Sequence, residues 1–256
     1  MLQSFFDHLP LEEFQYDVLA GVSIGAVNAA TLAGFDYGQE QESLDVLKQY
    51  WFVFKTDEIF VNWKPWGPIA GFWKQSFLDD TPTHNRINDG LQPFMKKVAY
   101  QSVNANDGTV YRFDESLDPK LQGESVAASA SIPVAFYPTS TIGDLQLVDG
   151  GTFTDLNLQD AIDRCREDVG KDEDIIVDIV MCNSDPVTID DYQTAPFFRP
   201  YHIYQRQKDF QEYYTTMNDI MQVTKANPNV SYRYVVTASE HLPSGPIPII
   251  VRMQDI

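Results

Sequence analysis

The feature that most constrains the fold of this chain is a serine between two glycines, at the point where an apolar run becomes a run of small residues. The apolar run is Asp17–Val22, the serine is Ser23, and Ala26, Ala29 and Ala30 follow. This order predicts a strand that ends in a tight turn and continues at once as a helix, with the hydroxyl at the tip, as in a nucleophile elbow. The small side chains should let the helix pack closely on a sheet.

The two glycines and the helix start give this turn a possible chemistry. Gly21 and Gly25 lie two positions before and after Ser23, where we expect any side chain to collide. The helix N-terminus directs N–H groups and the positive end of its dipole at the serine, where negative charge develops on oxygen during acyl transfer. We predict the N–H of Ile24 as the donor. The pattern also fits a structural turn, so a catalytic role requires a partner for Ser23.

A candidate partner comes from a second strand followed by paired glycines. A short strand at Leu145–Val148 is predicted to deliver Asp149, which is followed by Gly150 and Gly151. The glycines let the backbone turn sharply beside another group. The carboxylate could lie against the serine or could cap the turn, and this segment alone favours capping.

A serine, aspartate and histidine triad is the competing arrangement. His202 and His241 follow Asp149, which gives the residue order of an α/β-hydrolase. That fold places several strands before its elbow, whereas only twenty-two residues precede Ser23. We therefore expect both histidines to be structural or exposed to solvent.

Composition limits the partners and the location. With 256 residues, of which 43% are hydrophobic, the chain can bury the core of a single domain over 1–256. A net charge of -19 without a Lys/Arg cluster excludes nucleic acid as a partner and disfavours electrostatic docking on anionic membranes. There is no apolar run long enough for a membrane span, and two cysteines fit reduced thiols. We predict a cytoplasmic or peripheral membrane protein.

The remaining elements are predicted from periodicity and turn residues. Helices are expected at Leu2–His8, Leu44–Phe54, Leu91–Val98, Gln159–Asp168 and Tyr201–Lys225, with strands at Ile175–Met181 and Val230–Thr237 and a hairpin around Asn106–Gly108. The aromatic-rich region Tyr50–Phe77 has two interpretations. It is either a mobile flap whose aromatic residues contact lipid, or a satellite core beneath a long loop, and the second is favoured because aromatic side chains are ordinary core material.

Three segments together resemble, in order, the landmarks of the patatin-like phospholipase family. They are Ala-Gly-Val-Ser-Ile-Gly-Ala-Val-Asn at 20–28, Ala-Ser-Ala-Ser-Ile-Pro-Val-Ala-Phe at 128–136 and Val-Asp-Gly-Gly at 148–151. The resemblance covers roughly Leu2–Leu158. It implies an α/β fold of the patatin-like type, a three-layer α/β/α sandwich with a mostly parallel central sheet.

The resemblance also implies an activity. Ser23 carries over as nucleophile and Asp149 as general base of a Ser/Asp dyad that cleaves the acyl ester of a phospholipid or other lipid through an acyl-serine, during transient contact with a lipid surface. A carboxylate shielded from water can take the serine proton without a histidine, and base catalysis of this kind is worth roughly 10²- to 10⁴-fold. Neither a metal nor another cofactor is required.

Two departures from the family pattern qualify this expectation. The family carries a glycine-rich loop upstream of the elbow that supplies most of the oxyanion hole, and this chain begins after the point where that loop and its strand should be. We expect a truncated or mispredicted start, with a catalytically inactive lipid-binding or regulatory protein as the alternative. The smaller departure is Asp155–Leu158, where the family has asparagine-x-proline.

Overall fold

The structure, a computed structural model, describes residues 2–53, 55–140, 142–184 and 199–238. Their internal contacts define two units, one comprising Leu2–Asp168 and the other beginning at Val169. The expectation of a single domain stays a prediction.

The first unit alternates helices with short strands. In chain order its elements are α1 (Leu2–His8), β1 (Val18–Val22), α2 (Ile24–Ala33), α3 (Glu40–Val53), α4 (Thr56–Ile59), β2 (Val61–Asn62), β3 (Leu78–Asp79), α5 (Thr81–Gly90), β4 (Lys97–Asn104), β5 (Val110–Asp114), α6 (Pro119–Ser129), β6 (Leu147–Asp149) and α7 (Leu158–Cys165). Short 3₁₀ turns occupy Leu11–Phe14, Gly67–Phe72 and Gly150–Thr152.

Strand β4 is the centre of the sheet in this unit. β1 pairs with it in parallel, and Val22 lies opposite Gln101. β5 returns antiparallel through the predicted Asp-Gly hairpin, and β6 pairs antiparallel with Asp149 opposite Ser102. The result is a mixed sheet, where the resemblance implies a mostly parallel one, because the hairpin and β6 both return against β4.

Helices cover both faces of β4, whose residues from Val98 onward are all buried. On one face the Tyr100 hydroxyl shares a 2.8 Å hydrogen bond with Ser125 of α6. On the other face the Lys97 ammonium lies 3.5 Å from the carbonyl of Arg164 in α7. Alternate strand residues point to opposite faces, so the sheet separates two helical layers and the predicted α/β class is confirmed.

Helix α2 packs tightly on the sheet, as its small residues predict. Ala26, Ala29, Ala30 and Ala33 are each at most 5% exposed and form one core cluster that includes Val98. The approach is close because the side chains that α2 contributes to this cluster are all methyl groups.

The prediction of a helix at Leu91–Val98 is wrong. β4 begins at Lys97, and the helix lies one segment earlier, as α5. The sequence of α5 contains Pro82, two asparagines and a terminal glycine, so its intrinsic helix propensity is low. It forms because Pro82 occupies the first turn and because the helix packs on α6 and buries Ile87.

The aromatic-rich region is only partly core. Phe60 is buried, with its ring centroid 6.2 Å from that of Phe136, as the core interpretation predicts. Trp66 and Trp73 pack edge to face at 6.3 Å but are 62% and 60% exposed. For these two tryptophans the prediction of a satellite core is wrong.

In its described residues the second unit contains a 3₁₀ turn at Asp172–Asp174 and three longer elements. They are β7 (Ile176–Ser184), α8 (Arg199–Ala226) and β8 (Ser231–Ala238), and β7 pairs with β8 in parallel. The predicted strands and the long helix are confirmed to within a few residues. His202 lies in α8 with its side chain outside the described residues, and His241 lies outside them altogether. None of the described helices combines the length and the hydropathy needed to cross a membrane.

Candidate active site

The pairing on β4 brings the ends of two strands together. β5 occupies one edge of β4, so β1 and β6 share the other edge, where they run towards each other. β1 ends opposite Gln101 and β6 ends opposite Ser102. The residue that follows β1 and the last residue of β6 therefore meet, and the Ser23 hydroxyl donates a 2.5 Å hydrogen bond to Oδ2 of Asp149.

Ser23 has the backbone of an elbow. Its φ of 55° and ψ of -126° lie in a region that L-residues with side chains rarely adopt, at a typical cost of about 1–3 kcal/mol. The Ser23 carbonyl already accepts the N–H of Ala26 at 2.9 Å, so α2 starts directly after the turn. The sequence prediction of a strained turn between strand and helix is confirmed.

Ser129, at the end of α6, holds this turn in place. Its hydroxyl accepts the backbone N–H of Ser23 at 3.1 Å and donates to the carbonyl of Gln101 at 2.6 Å. The side chain has no exposed surface. Two residues on, the Ser131 carbonyl accepts the N–H of Asp149 at 2.9 Å. Ser129 was not among the predicted site residues, and the only signal for it in the sequence is its place in the 128–136 segment.

Three of the motif glycines differ in the space around them. A Cβ atom at Gly21 would overlap the carbonyl of Gly25, and one at Gly150 would overlap the carbonyl of Gln101, so both close approaches need glycine. The prediction of a collision at Gly25 itself is wrong, because a Cβ there meets no atom within 4 Å. The first turn of α2 therefore faces open space beside Ser23.

Asp149 accepts hydrogen bonds on both carboxylate oxygens. Oδ2 takes the Ser23 hydroxyl, and Oδ1 takes the N–H of Gly151 at 2.7 Å. Burial raises the pKa of Asp149 to about 6, with a smaller contribution from Asp155, although both hydrogen bonds oppose the shift. The carboxylate is thus ionised at neutral pH and about a hundredfold more basic than an ordinary aspartate.

The N-terminus of α2 can stabilise negative charge beside Ser23. Ile24 and Gly25 are its first two residues, and the residues four positions earlier lie in β1, so their N–H groups have no acceptor within the helix. A helix N-terminus also carries the positive end of the dipole. Ile24 stands where the sequence predicted an oxyanion donor.

Other polar features of the first unit lie away from this pair. A groove of about 610 Å³ is lined by residues of α3 and α5, among them Tyr50 and Arg86, and includes neither Ser23 nor Asp149. Burial lowers the pKa of His84, but hydrogen bonds to Asp80 and Glu124 outweigh it and raise the pKa to about 9. No group of three or more His, Cys, Asp and Glu in the described ranges is placed to hold a metal ion.

Fold and geometry define an α/β protein with a serine and aspartate pair at a nucleophile elbow. The family model of patatin-like phospholipases matches residues 4–162, more than half of the chain, and the chain belongs to this family. The match contains Ser23, Ser129 and Asp149. Membership implies lipid acyl hydrolase activity in general. No curated protein matches the chain significantly.

Proposed function

We propose that this chain is a lipid acyl hydrolase of phospholipase A or lysophospholipase type, with Ser23 as nucleophile and Asp149 as general base. The observation that carries the proposal is the 2.5 Å hydrogen bond from the Ser23 hydroxyl to the buried Asp149 carboxylate, at the start of a helix. A serine hydroxyl attacks an ester only if a base takes its proton, and here the base is already in contact with it.

The reaction proceeds in two halves. As the Ser23 oxygen attacks the ester carbonyl carbon, Oδ2 of Asp149 takes the proton, and negative charge on the carbonyl oxygen faces the N–H of Ile24. Collapse breaks the ester bond, and the leaving lipid alcohol takes the proton from Asp149. Water then attacks the acyl-serine, Asp149 accepts one of its protons, and the fatty acid leaves as Ser23 recovers its hydrogen.

Asp149 can act as the base without a histidine because its surroundings raise the pKa of its carboxyl group. Burial raises the pKa of Asp149 to about 6, within one to two units of neutral pH, where a base is both ionised and able to hold a proton. Gly151 fixes the other carboxylate oxygen, so Oδ2 stays directed at Ser23. No metal or other cofactor takes part in the proposed steps.

The proposed substrate is a phospholipid or another acyl lipid, met during transient contact with a lipid surface by a cytoplasmic or peripheral membrane protein. The net charge of -19 supports the part of the proposal that excludes nucleic acid.

Hydrolysis of p-nitrophenyl butyrate tests the proposal. Ser23→Ala and Asp149→Asn should each lose at least about a thousandfold in kcat/KM, while the exposed controls Ser116→Ala and Asp144→Asn keep the wild-type rate. Circular dichroism establishes that every variant is folded. If folded wild type is no faster than the two site variants, the proposal is overturned in favour of a non-catalytic lipid-binding or regulatory protein.

A further inference from the structure

The segments that meet at Ser23 and Asp149 carry almost no charge. Residues 18–35 and 125–143 contain no Asp, Glu, Lys, Arg or His, and Asp149 is the only charged residue in 145–154. Yet the whole chain has 37 acidic and 18 basic side chains. The net charge of -19 therefore resides mostly in other parts of the molecule, although Asp155 directly follows the last of these segments and acts on Asp149.

Exposed apolar side chains adjoin the pair in three segments of the chain. Ile24, 39% exposed, follows the nucleophile directly. Ile132, 41% exposed, follows the residue whose carbonyl accepts the Asp149 N–H. Phe153, 60% exposed, comes directly after the 3₁₀ turn that starts beyond Asp149, and its N–H donates to the first residue of that turn at 3.0 Å.

Val134 adds to this group in an unusual conformation. It is 64% exposed and has a φ of 74°. A β-branched residue with positive φ is strained, and such strain persists where the surrounding structure holds it in place. Here the strained turn presents an apolar side chain to solvent three residues beyond Ser131, whose carbonyl accepts the Asp149 N–H.

The exposed tryptophans are tied to the same loop. The N–H groups of Phe77 and Leu78 donate to the carbonyls of Val134 and Ala135 at 2.9 and 3.0 Å. In the stretch that leads to this contact, residues 59–78, the only charged side chains are Lys64 and Lys74. The stretch also carries three apolar side chains that are each at least 60% exposed: Trp66, Ile69 and Trp73.

Together these exposed apolar side chains form a set that we call the apolar face: Ile24, Trp66, Ile69, Trp73, Phe77, Ile132, Val134 and Phe153. We propose that they share one side of the molecule, and that this side docks the chain on an electrically neutral lipid surface and thereby presents the surface's esters to Ser23. The inference rests on the proposed function, since it gives the proposed site its route to substrate.

The composition of the face fits such a surface. Tryptophan and lysine together are typical of protein segments at a membrane interface, where the rings lie at the level of the headgroups. Lys64 and Lys74 can contact the phosphates of zwitterionic headgroups. A surface with net negative charge, by contrast, repels the remainder of the chain, and this repulsion reaches further as salt is lowered.

Binding to vesicles tests the proposal without catalysis. All variants are made in the Ser23→Ala background, so that hydrolysis cannot change the lipid, and binding to phosphatidylcholine vesicles is measured by co-sedimentation. Trp66→Ser/Trp73→Ser should weaken binding by about tenfold or more, because two large apolar side chains no longer enter the interface. Ile69→Ser, a single smaller change, should weaken it in the same direction.

A matched control substitutes exposed apolar residues outside the face. Leu11 and Met95 are 48% and 56% exposed, and the N–H of Met95 donates to Ala33 at the end of α2 opposite Ile24. Leu11→Ser/Met95→Ser should bind like the parent. If the two double variants bind equally well, or if the folded parent does not bind phosphatidylcholine at all, the proposal is overturned.

Binding to anionic vesicles tests whether the preferred lipid surface is electrically neutral. Binding to phosphatidylglycerol vesicles should be weaker than to phosphatidylcholine and should strengthen as salt is added. Tighter binding to phosphatidylglycerol at low salt contradicts the proposal and indicates an anionic surface instead.

Hydrolysis of a soluble ester distinguishes a failure of docking from a failure of the proposed function. With Ser23 intact, Trp66→Ser/Trp73→Ser should hydrolyse p-nitrophenyl butyrate at the wild-type rate but phosphatidylcholine vesicles at least tenfold more slowly. If vesicles bind but no ester is cleaved, the proposed function fails and docking stands. If the soluble ester is cleaved but vesicles do not bind, docking alone fails.

Discussion

Asp149→Asn should make the protein more stable in the same pH range in which it removes the general base. Burial raises the pKa of Asp149 from 3.8 to about 6. The folded pKa lies above the unfolded one, so this group's contribution to stability is complete below pH 4 and is lost as pH rises through 6. Each pKa unit corresponds to about 1.4 kcal/mol, and the ionised carboxylate therefore lowers the free energy of unfolding by about 3 kcal/mol above pH 7.

Asparagine removes this penalty and can keep both contacts. Its carbonyl oxygen accepts the Gly151 N–H, and its amide can donate to the Ser23 oxygen. About half of the penalty is already present at pH 5 and all of it at pH 8. The free energy of unfolding of the variant relative to wild type should therefore increase by about 1.5 kcal/mol between these two values.

Urea unfolding followed by circular dichroism measures the difference. Wild type and Asp149→Asn are compared at pH 5 and pH 8, together with Asp144→Asn as an exposed carboxylate that should show no such dependence. If the difference in unfolding free energy between wild type and Asp149→Asn is the same at both pH values, or favours wild type more at pH 8, then ionisation of Asp149 does not destabilise the folded protein.

Three further predictions follow from the site. The kcat/KM for a soluble ester should fall about tenfold for each pH unit below 6, because Asp149 must be ionised to accept a proton, and a flat profile between pH 4.5 and 7 would contradict this. Ser129→Ala leaves the Ser23 N–H without its acceptor, and steady-state kinetics should show kcat lowered at least about tenfold with KM little changed. Gly21→Ala should cost about 3 kcal/mol or more in urea unfolding because its Cβ overlaps backbone, whereas Gly25→Ala should change stability by less than about 1 kcal/mol.

Local sequence patterns predicted the parts of the site but not how they combine. The apolar run before Ser23 and the alanines after it define a strand, a turn and a helix within sixteen residues, and the structure has all three. Asp149 lies 126 positions further along, so a choice between a capping and a catalytic carboxylate was not decidable from its own segment. In the structure the carboxylate makes both contacts at once, because one oxygen accepts from Gly151 and the other accepts from Ser23.

What sequence reasoning missed depends on tertiary contacts. Ser129 bonds to residues of β1's turn and of β4 that are distant in sequence, and nothing in its own segment distinguishes its hydroxyl from that of Ser131. Helix α5 has low propensity and forms against α6. Trp66 and Trp73 are exposed in the structure, although their residue type alone indicates burial.

Covalent labelling shows directly whether Ser23 is the nucleophile and whether Asp149 activates it. Wild-type protein is treated with a fluorophosphonate ester, and the modified peptide is located by mass spectrometry. We expect a single adduct on Ser23 that is absent in Ser23→Ala. It should form at least about a hundredfold more slowly in Asp149→Asn and at an unchanged rate in Asp144→Asn. An adduct on another serine, an equal rate in Asp149→Asn, or no adduct on the folded wild type would contradict this expectation.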